Sequence, residues 1–230
     1  MMHDPLFPPP SPPFLPIEGD ARCFPVHRIY CVGRNYADHV REMGGDASRD
    51  PPIFFTKPAD AIVGDGMVLP FPCATNDLHH EVELVVALGH GGHDLTPAQA
   101  ADCVAGYAVG IDLTRRDLQN AAKQRGQPWD VAKAFDRSAP IGHLRLREDW
   151  QPQDQHLRLW VDDQLRQDGQ LEQMILDVPT LLAELSKLFE LAPGDLVFTG
   201  TPAGVGPVRP GQRVRASIDG LPALNIAFAP

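Results

Sequence analysis

Residues 79–89 read HHEVELVVALG, and from Glu81 to Leu88 the chain alternates with period two. Glu81, Glu83, Val85 and Ala87 fall on one side, and Val82, Leu84, Val86 and Leu88 on the other, which is the signature of a strand. Two carboxylates two positions apart on a strand project from the same face, within reach of one shared point. Spacing alone fits a solvent-facing half of an exposed strand equally well. The flanking VVALG and the preceding His79 and His80 weigh against a purely solvated strand. A third carboxylate, Asp112, ends the next apolar run. Three carboxylates without thiolate partners suit a hard ion with oxygen ligands, Mg²⁺ or Mn²⁺, with open positions for water and substrate.

Outward from this strand, the chain reads as short elements punctuated by 24 prolines and 20 glycines, a composition that favours turns over a helix bundle. RIYCVG at 28–33 is a short buried strand, and NYADHVREMGG at 35–45 a short helix. Asn35 is its expected N-cap, Asp38 stands in a capping-box-like position, and Gly44 or Gly45 is the stop. PPIFFTKPADAIV is strand and loop. Val104–Leu113 is a second apolar run, and TRRDLQNAAKQRG after it is helical in character. LRLWVDDQLRQDG predicts a hairpin and DVPTLLAELSKLFELAPGD an amphipathic helix. GDLVFTG predicts a buried strand, and RVRASIDGLPALNIAF a hairpin turning at Asp219 and Gly220. Strands dominate, so the expected class is α+β with mixed sheets.

A net charge of −10 leaves no basic footprint for nucleic acid and no polybasic segment for anionic lipid. Small-molecule work is the remaining default, and an anionic substrate would need locally placed Lys, Arg or metal. The longest apolar stretches fall far short of the roughly 20 residues of a membrane helix. Cys23, Cys31, Cys73 and Cys103 have no C-x-x-C spacing, so reduced thiols in a cytoplasm are expected. Residues 1–22 read as a proline-rich arm, ordered only if it docks, and 23–230 as one catalytic domain.

His39 and Glu42 lie three apart on the short helix and therefore on one face. A carboxylate beside an imidazole raises its basicity and orients it, as a water-activating base requires. Taken alone, an idle surface pair is the commoner occurrence. Lys57 and Lys133 sit inside apolar stretches, where an unpaired ammonium is costly; the carboxylates are natural partners, although snorkelling to the surface is the commoner fate. Gln119 and Thr201 can offer neutral hydrogen bonds to a carboxylate or carbonyl. TGTPAGVG at 199–206 has neither a P-loop lysine nor a G-x-G-x-x-G pattern, which leaves a backbone nest for a small anion as its phosphate-like option.

CVGRNYADHVREMG, FTKPADAIV, HHEVELVVALG, GYAVGIDLTRRDLQ, PWDVAKAFD and GDLVFTGTPAGVGPV, in this order, resemble the successive signatures of the fumarylacetoacetate hydrolase superfamily. The likeness runs from about Phe24 to the C-terminus and is strongest to the short acylpyruvase and fumarylpyruvate hydrolase group. It implies a mixed β-sandwich roll, usually dimeric, with Mg²⁺ or Mn²⁺ on Glu81, Glu83 and Asp112. It further implies a lid helix carrying His39 and Glu42 over the metal, a catalytic Lys133, and substrate contacts from Gln119 and Thr201. The activity implied is hydrolysis of a carbon–carbon bond in an acylpyruvate, fumarylpyruvate to fumarate and pyruvate, with His39 activating water and the ion stabilising the departing enolate. Arg34, Arg115 and Arg116 are candidates for the far carboxylate. Oxaloacetate decarboxylation and hydroxymuconate-type isomerisation or decarboxylation are the rival chemistries on the same fold, and a non-enzymatic dicarboxylate binder is the rival class.

Overall fold

The computed structural model describes residues 6–8, 10–46, 49 and 51–230. Its central feature is a six-stranded mixed sheet. The order is β12 (Arg145–Leu146), β9 (Val104–Ile111), β8 (Val82–Leu88), β15 (Leu196–Phe198), β3 (Ile29–Gly33) and β4 (Ile53–Lys57). All its neighbours are antiparallel except β15 and β3. A five-stranded sheet faces it, in the order β14 (Gln164–Gln170), β13 (His156–Val161), β17 (Arg213–Ile218), β18 (Leu224–Phe228) and β6 (Met67–Leu69). Three small sheets close the roll: β10 (Thr114–Arg115), β7 (Leu78–His80) and β16 (Gly206–Val208); β11 (Ala139–Pro140) with β5 (Ile62–Val63); and β1 (Phe14–Pro16) with β2 (Cys23–Pro25). The helices are short: α1 (Ala37–Glu42), α2 (Pro97–Asp102), α3 (Arg116–Arg125), α4 (Asp130–Lys133) and α5 (Val178–Ser186). This is the α+β mixed-sheet architecture that the strand-rich pattern predicts.

β8 is buried along its whole length, not on one face as a half-exposed strand would be. Its even-numbered residues, Val82, Leu84, Val86 and Leu88, belong to the core between the two large sheets, with Leu159 of β13, Ala216 of β17 and Leu181 of α5. Val85 and Ala87 belong to a second core on the opposite face, with Leu15, Ile29, Phe198 and Ile141. An alternating strand that is apolar on both sides is what a sheet covered on both faces requires. Glu83 shares the parity of Val85 and Ala87, so it stands where the second core would otherwise continue.

The second half of the proline-rich arm docks on the body. Leu15 is buried in the second core, β1 pairs with β2, and the backbone of Pro16 and Glu18 is bonded to Leu144. Leu15 supplies the apolar anchor that a proline-rich segment needs to order against the body.

The two hairpins form as the sequence predicts. β13 and β14 turn at Asp162 and Asp163, both in the left-handed region at φ 46° and 65°, the conformation a two-residue hairpin loop demands. β17 and β18 turn past Gly220, at φ 83°. The amphipathic segment after Asp177 is helical only to Ser186, with Asp177 capping the Thr180 amide at 2.9 Å.

Candidate active site

The carboxylate trio is assembled by strand register. The chain leaves the small sheet of β7 and enters the large sheet of β8 at Glu81. β8 and β9 pair Val82 with Ile111, and the Asp112 amide donates to the Glu81 carbonyl at 2.8 Å, so Asp112 lies directly across from Glu81. One carboxylate oxygen from each of Glu81, Glu83 and Asp112 falls within 4.8 Å of the others, and all three residues are buried.

Cations compensate part of the trio. Lys133 Nζ, at the end of α4, bridges Glu81 Oε2 at 2.7 Å and Asp112 Oδ2 at 2.6 Å and also donates to Thr114 Oγ1 at 2.6 Å. Lys57 Nζ lies 2.8 Å from Asp112 Oδ1, and Arg116 donates to Glu81. Both buried lysines thus find carboxylates instead of snorkelling. Burial disfavours the charge on Glu81, but Lys133 and Arg116 outweigh it and hold its pKa well below the ordinary carboxylate range. Burial likewise opposes the charge on Lys133, yet Asp112 and Glu81 prevail and raise it. Glu83 makes no ion pair among the described residues. Burial, then repulsion from Asp112 and Glu81, push its pKa well above the usual range, and its Oε2 accepts only the Gly200 amide, at 2.7 Å.

Two observations fit a divalent ion here. Glu83 is a buried carboxylate with no direct ion pair among the described residues, Lys133 acting on it only from a distance, and buried Asp112 Oδ1 receives no directed hydrogen bond although Lys57 is close, because Lys57 aims its protons at the carbonyls of Leu113 and Lys133. Oxygen donors alone match the chemistry of Mg²⁺ or Mn²⁺.

α1 places His39 on the wall of the cavity that holds the three carboxylates, a space of about 250 Å³. His39 Nδ1 is 3.2 Å from Glu42 Oε2. Burial lowers the His39 pKa, and the nearby Glu81 and Glu42 offset this only in part, so the ring is neutral at pH 7. With Nδ1–H donated to Glu42, the lone pair is left on Nε2. Asn35 is not the helix cap. Tyr36 holds that position without a side-chain bond, while the buried Asn35 amide donates to the carbonyls of Leu176 and Thr199 and accepts the Leu176 amide. Asp38 pairs with Arg41 on the surface. Gly44 does stop the helix in the left-handed region, at φ 78°.

The TGTPAGVG loop is not an anion nest. Its two left-handed glycines, Gly200 at φ 96° and Gly204 at φ 97°, turn their amides onto protein carboxylates, Gly200 onto Glu83 and Gly204 onto Glu42 Oε1 at 3.0 Å. Thr201 lines the cavity, with its Oγ1 accepting from buried Gln167, whose own carbonyl oxygen takes the Val82 amide and contacts His80. Sequence reasoning did not find Gln167, because it stands in an otherwise exposed hairpin strand.

Of the three arginines, Arg34 lines the cavity, at a left-handed φ of 68°. Arg115 does not: it stacks over Phe135 at 4.3 Å and donates to the Val131 carbonyl. Arg116 faces inward but is engaged by Glu81, Gln119 and His79. Lys123, Phe55 and Trp129, none singled out from the sequence, complete this part of the wall.

Residues 28–228 match the family described as fumarylacetoacetate (FAA) hydrolase C-terminal. A mitochondrial oxaloacetate tautomerase of Mus musculus is 43% identical over 199 residues, covering 86% of this chain and 89% of the relative. A mitochondrial oxaloacetate decarboxylase of Dictyostelium discoideum is 41% identical over 197 residues, covering 84% and 89%. Among solved structures, fumarylpyruvate hydrolase from Pseudomonas aeruginosa, in complex with Mn²⁺ and pyruvate, superposes with a TM-score of 0.96 at 49% identity, covering 98% of this chain and 99% of that one.

Proposed function

Because the chain belongs to the fumarylacetoacetate hydrolase family, we propose that it is a divalent-metal-dependent enzyme that works on a small 2-oxo acid through its enol or enolate. The observation that carries this is the convergence of three buried carboxylates, a bridging ammonium and a neutral imidazole on one cavity. A divalent ion held by Glu81, Glu83 and Asp112 would supply Lewis acidity toward the oxygens of a 2-oxo carboxylate. Lys133, a secured ammonium, and Gln119 face the same space and would orient the acid and offset charge developing on its oxygen. His39 Nε2 would take a proton, and Glu42 would hold the ring in the required tautomer and steady the imidazolium.

Which proton His39 takes distinguishes two chemistries. Removal of a C3 proton between two carbonyl groups, and its return to oxygen, interconverts keto and enol forms of oxaloacetate. This is the reading favoured by the curated relatives; decarboxylation of the keto form instead breaks the C3–C4 bond, releases CO₂ and leaves the enolate of pyruvate, which takes up a proton at C3. Removal of a proton from water, which then attacks the C4 carbonyl of fumarylpyruvate, releases fumarate and pyruvate. That hydrolytic reading is favoured by the higher identity and nearly complete coverage of the solved relative. A homodimer and a cytoplasmic location belong to the same proposal; among the described residues no helix is long and apolar enough to cross a membrane, and both curated relatives are mitochondrial by name.

The test is a panel of oxaloacetate, acetylpyruvate and fumarylpyruvate with Mg²⁺ and Mn²⁺, applied to wild type, His39→Ala, Glu42→Gln and Glu83→Ala. Hydrolysis and tautomerisation should fall on the order of 10²-fold or more in His39→Ala, with metal binding retained. Decarboxylation, which needs no attacking water, should fall less in the dyad variants than in Glu83→Ala. Unchanged turnover in His39→Ala would remove the proposed base, and full activity after exhaustive demetallation would sink the metal-dependent reading.

A further inference from the structure

The cavity has a cation that the chemistry above leaves unused. Arg116, Gln119 and Lys123 stand at positions i, i+3 and i+7 of α3 and therefore on one face of that helix. The face runs outward from the carboxylate trio. Arg116 is buried and bonded to Glu81, Gln119 is buried and bonded to Arg116, and Lys123 is exposed at the cavity mouth. Seven residues of α-helix span about 10 Å, so the Lys123 backbone stands roughly that far along the axis from the metal end.

Lys133, Lys57 and Arg116 are all engaged by the carboxylate trio. Lys123 has no carboxylate within ion-pair distance among the described residues; its ammonium lies 5.2 Å from the centre of the Trp129 ring. Partial desolvation of its ammonium against the cavity wall, and then the positive charge of Arg116, push its pKa down to about 8, a shift that an incoming anion would oppose. Between the two ends, Val32, Phe55 and Trp129 give the cavity an apolar wall.

We infer that Lys123 is the anchor for a second, remote carboxylate of the substrate, so that the site is built for a 2-oxo acid ending in a carboxylate several carbons beyond C3. The inference rests on the proposed placement of the 2-oxo acid end at the carboxylate trio. The spacing suits an extended acylpyruvate dianion with an apolar middle against Trp129 better than oxaloacetate, whose second carboxylate follows C3 directly. Lys123 thereby becomes a specificity determinant between the two proposed chemistries.

Binding of three unreactive 2-oxo acids to the Mn²⁺-loaded protein tests this: pyruvate, 2-oxoheptanoate and 2-oxoheptanedioate. The last two differ only in the terminal carboxylate. Calorimetry should show 2-oxoheptanedioate binding more tightly than 2-oxoheptanoate in wild type, by on the order of tenfold for a charge-assisted pair. Lys123→Ala should erase that advantage, Lys123→Arg should restore part of it, and pyruvate affinity should stay within about twofold. An advantage that is absent in wild type, or that survives Lys123→Ala, overturns the inference while the metal-end reading stands. Failure of pyruvate itself to bind the Mn²⁺-loaded wild type overturns both.

Discussion

Glu83 shows how a single residue records the missing charge. Its raised pKa means that the folded, metal-free protein binds a proton that the unfolded chain has already released. Stability of the metal-free protein therefore falls as pH rises above the ordinary carboxylate range towards the folded pKa. Glu83→Gln removes that burden. In EDTA it should melt above wild type at pH 8 and lie closer to it at pH 5, where a gain of about 1 kcal/mol moves the midpoint by roughly 2–4 °C. The same variant should lose the rise in melting temperature that Mn²⁺ gives wild type. Melting curves at two pH values, with and without Mn²⁺, check both halves, and a lower midpoint in EDTA would show that Glu83 is already compensated. At this scale the sequence was informative where spacing constrains direction. Glu81 and Glu83 share a face because β geometry leaves no alternative, and His39 and Glu42 meet because three residues make nearly one turn. It could not show that Arg115 turns outward while Arg116 turns inward, since adjacent residues at a helix start are sorted only by what packs beside them.

Elements explain why α1 is placed where it is. α1 has six residues, too few to be stable alone, and no side-chain cap. It is held from both ends by contacts remote in sequence: Asn35 to Leu176 and Thr199, and Glu42 to Gly204. The sequence pattern offered Asn35 as a cap because Asn before a helix usually is one; long-range partners are invisible to local propensity. Asn35→Ala would leave the Leu176 amide and two carbonyls without their partner and should cost about 2–3 kcal/mol. Because these bonds seat the start of α1, which carries His39, turnover should fall further than metal affinity. Chemical denaturation with parallel Mn²⁺ titration and turnover measurements follows all three, and an equal loss of turnover and metal affinity would make Asn35 a support of the whole scaffold instead of α1.

For the whole molecule, strand-rich α+β architecture was legible from alternation, turn residues and short runs. The double burial of β8 was not, because one strand's pattern cannot say what covers its second face. The proline-rich arm likewise divides only in three dimensions. Removing residues 1–12 should leave the melting temperature and metal binding unchanged, since the first strand starts at Phe14. Removing residues 1–22 takes away β1, the buried Leu15 and the bonds to Leu144, and should lower the midpoint by several degrees; burying a leucine is worth about 1.5–3 kcal/mol. Thermal melts of the two truncations decide where the body begins, and equal midpoints would make β1 dispensable.

The double burial of β8 also limits how proteins of this design can diverge. Shifting a strand by one residue exchanges its two faces. A single insertion or deletion in β8 would therefore turn Leu84 towards the cavity and Glu83 into the core between the large sheets, breaking up the carboxylate trio and disrupting two cores in one event. Length change is closed to this strand, so new specificities are left to substitutions along α3 and to the segments that fold over the cavity, where an altered residue count moves a side chain without inverting a sheet.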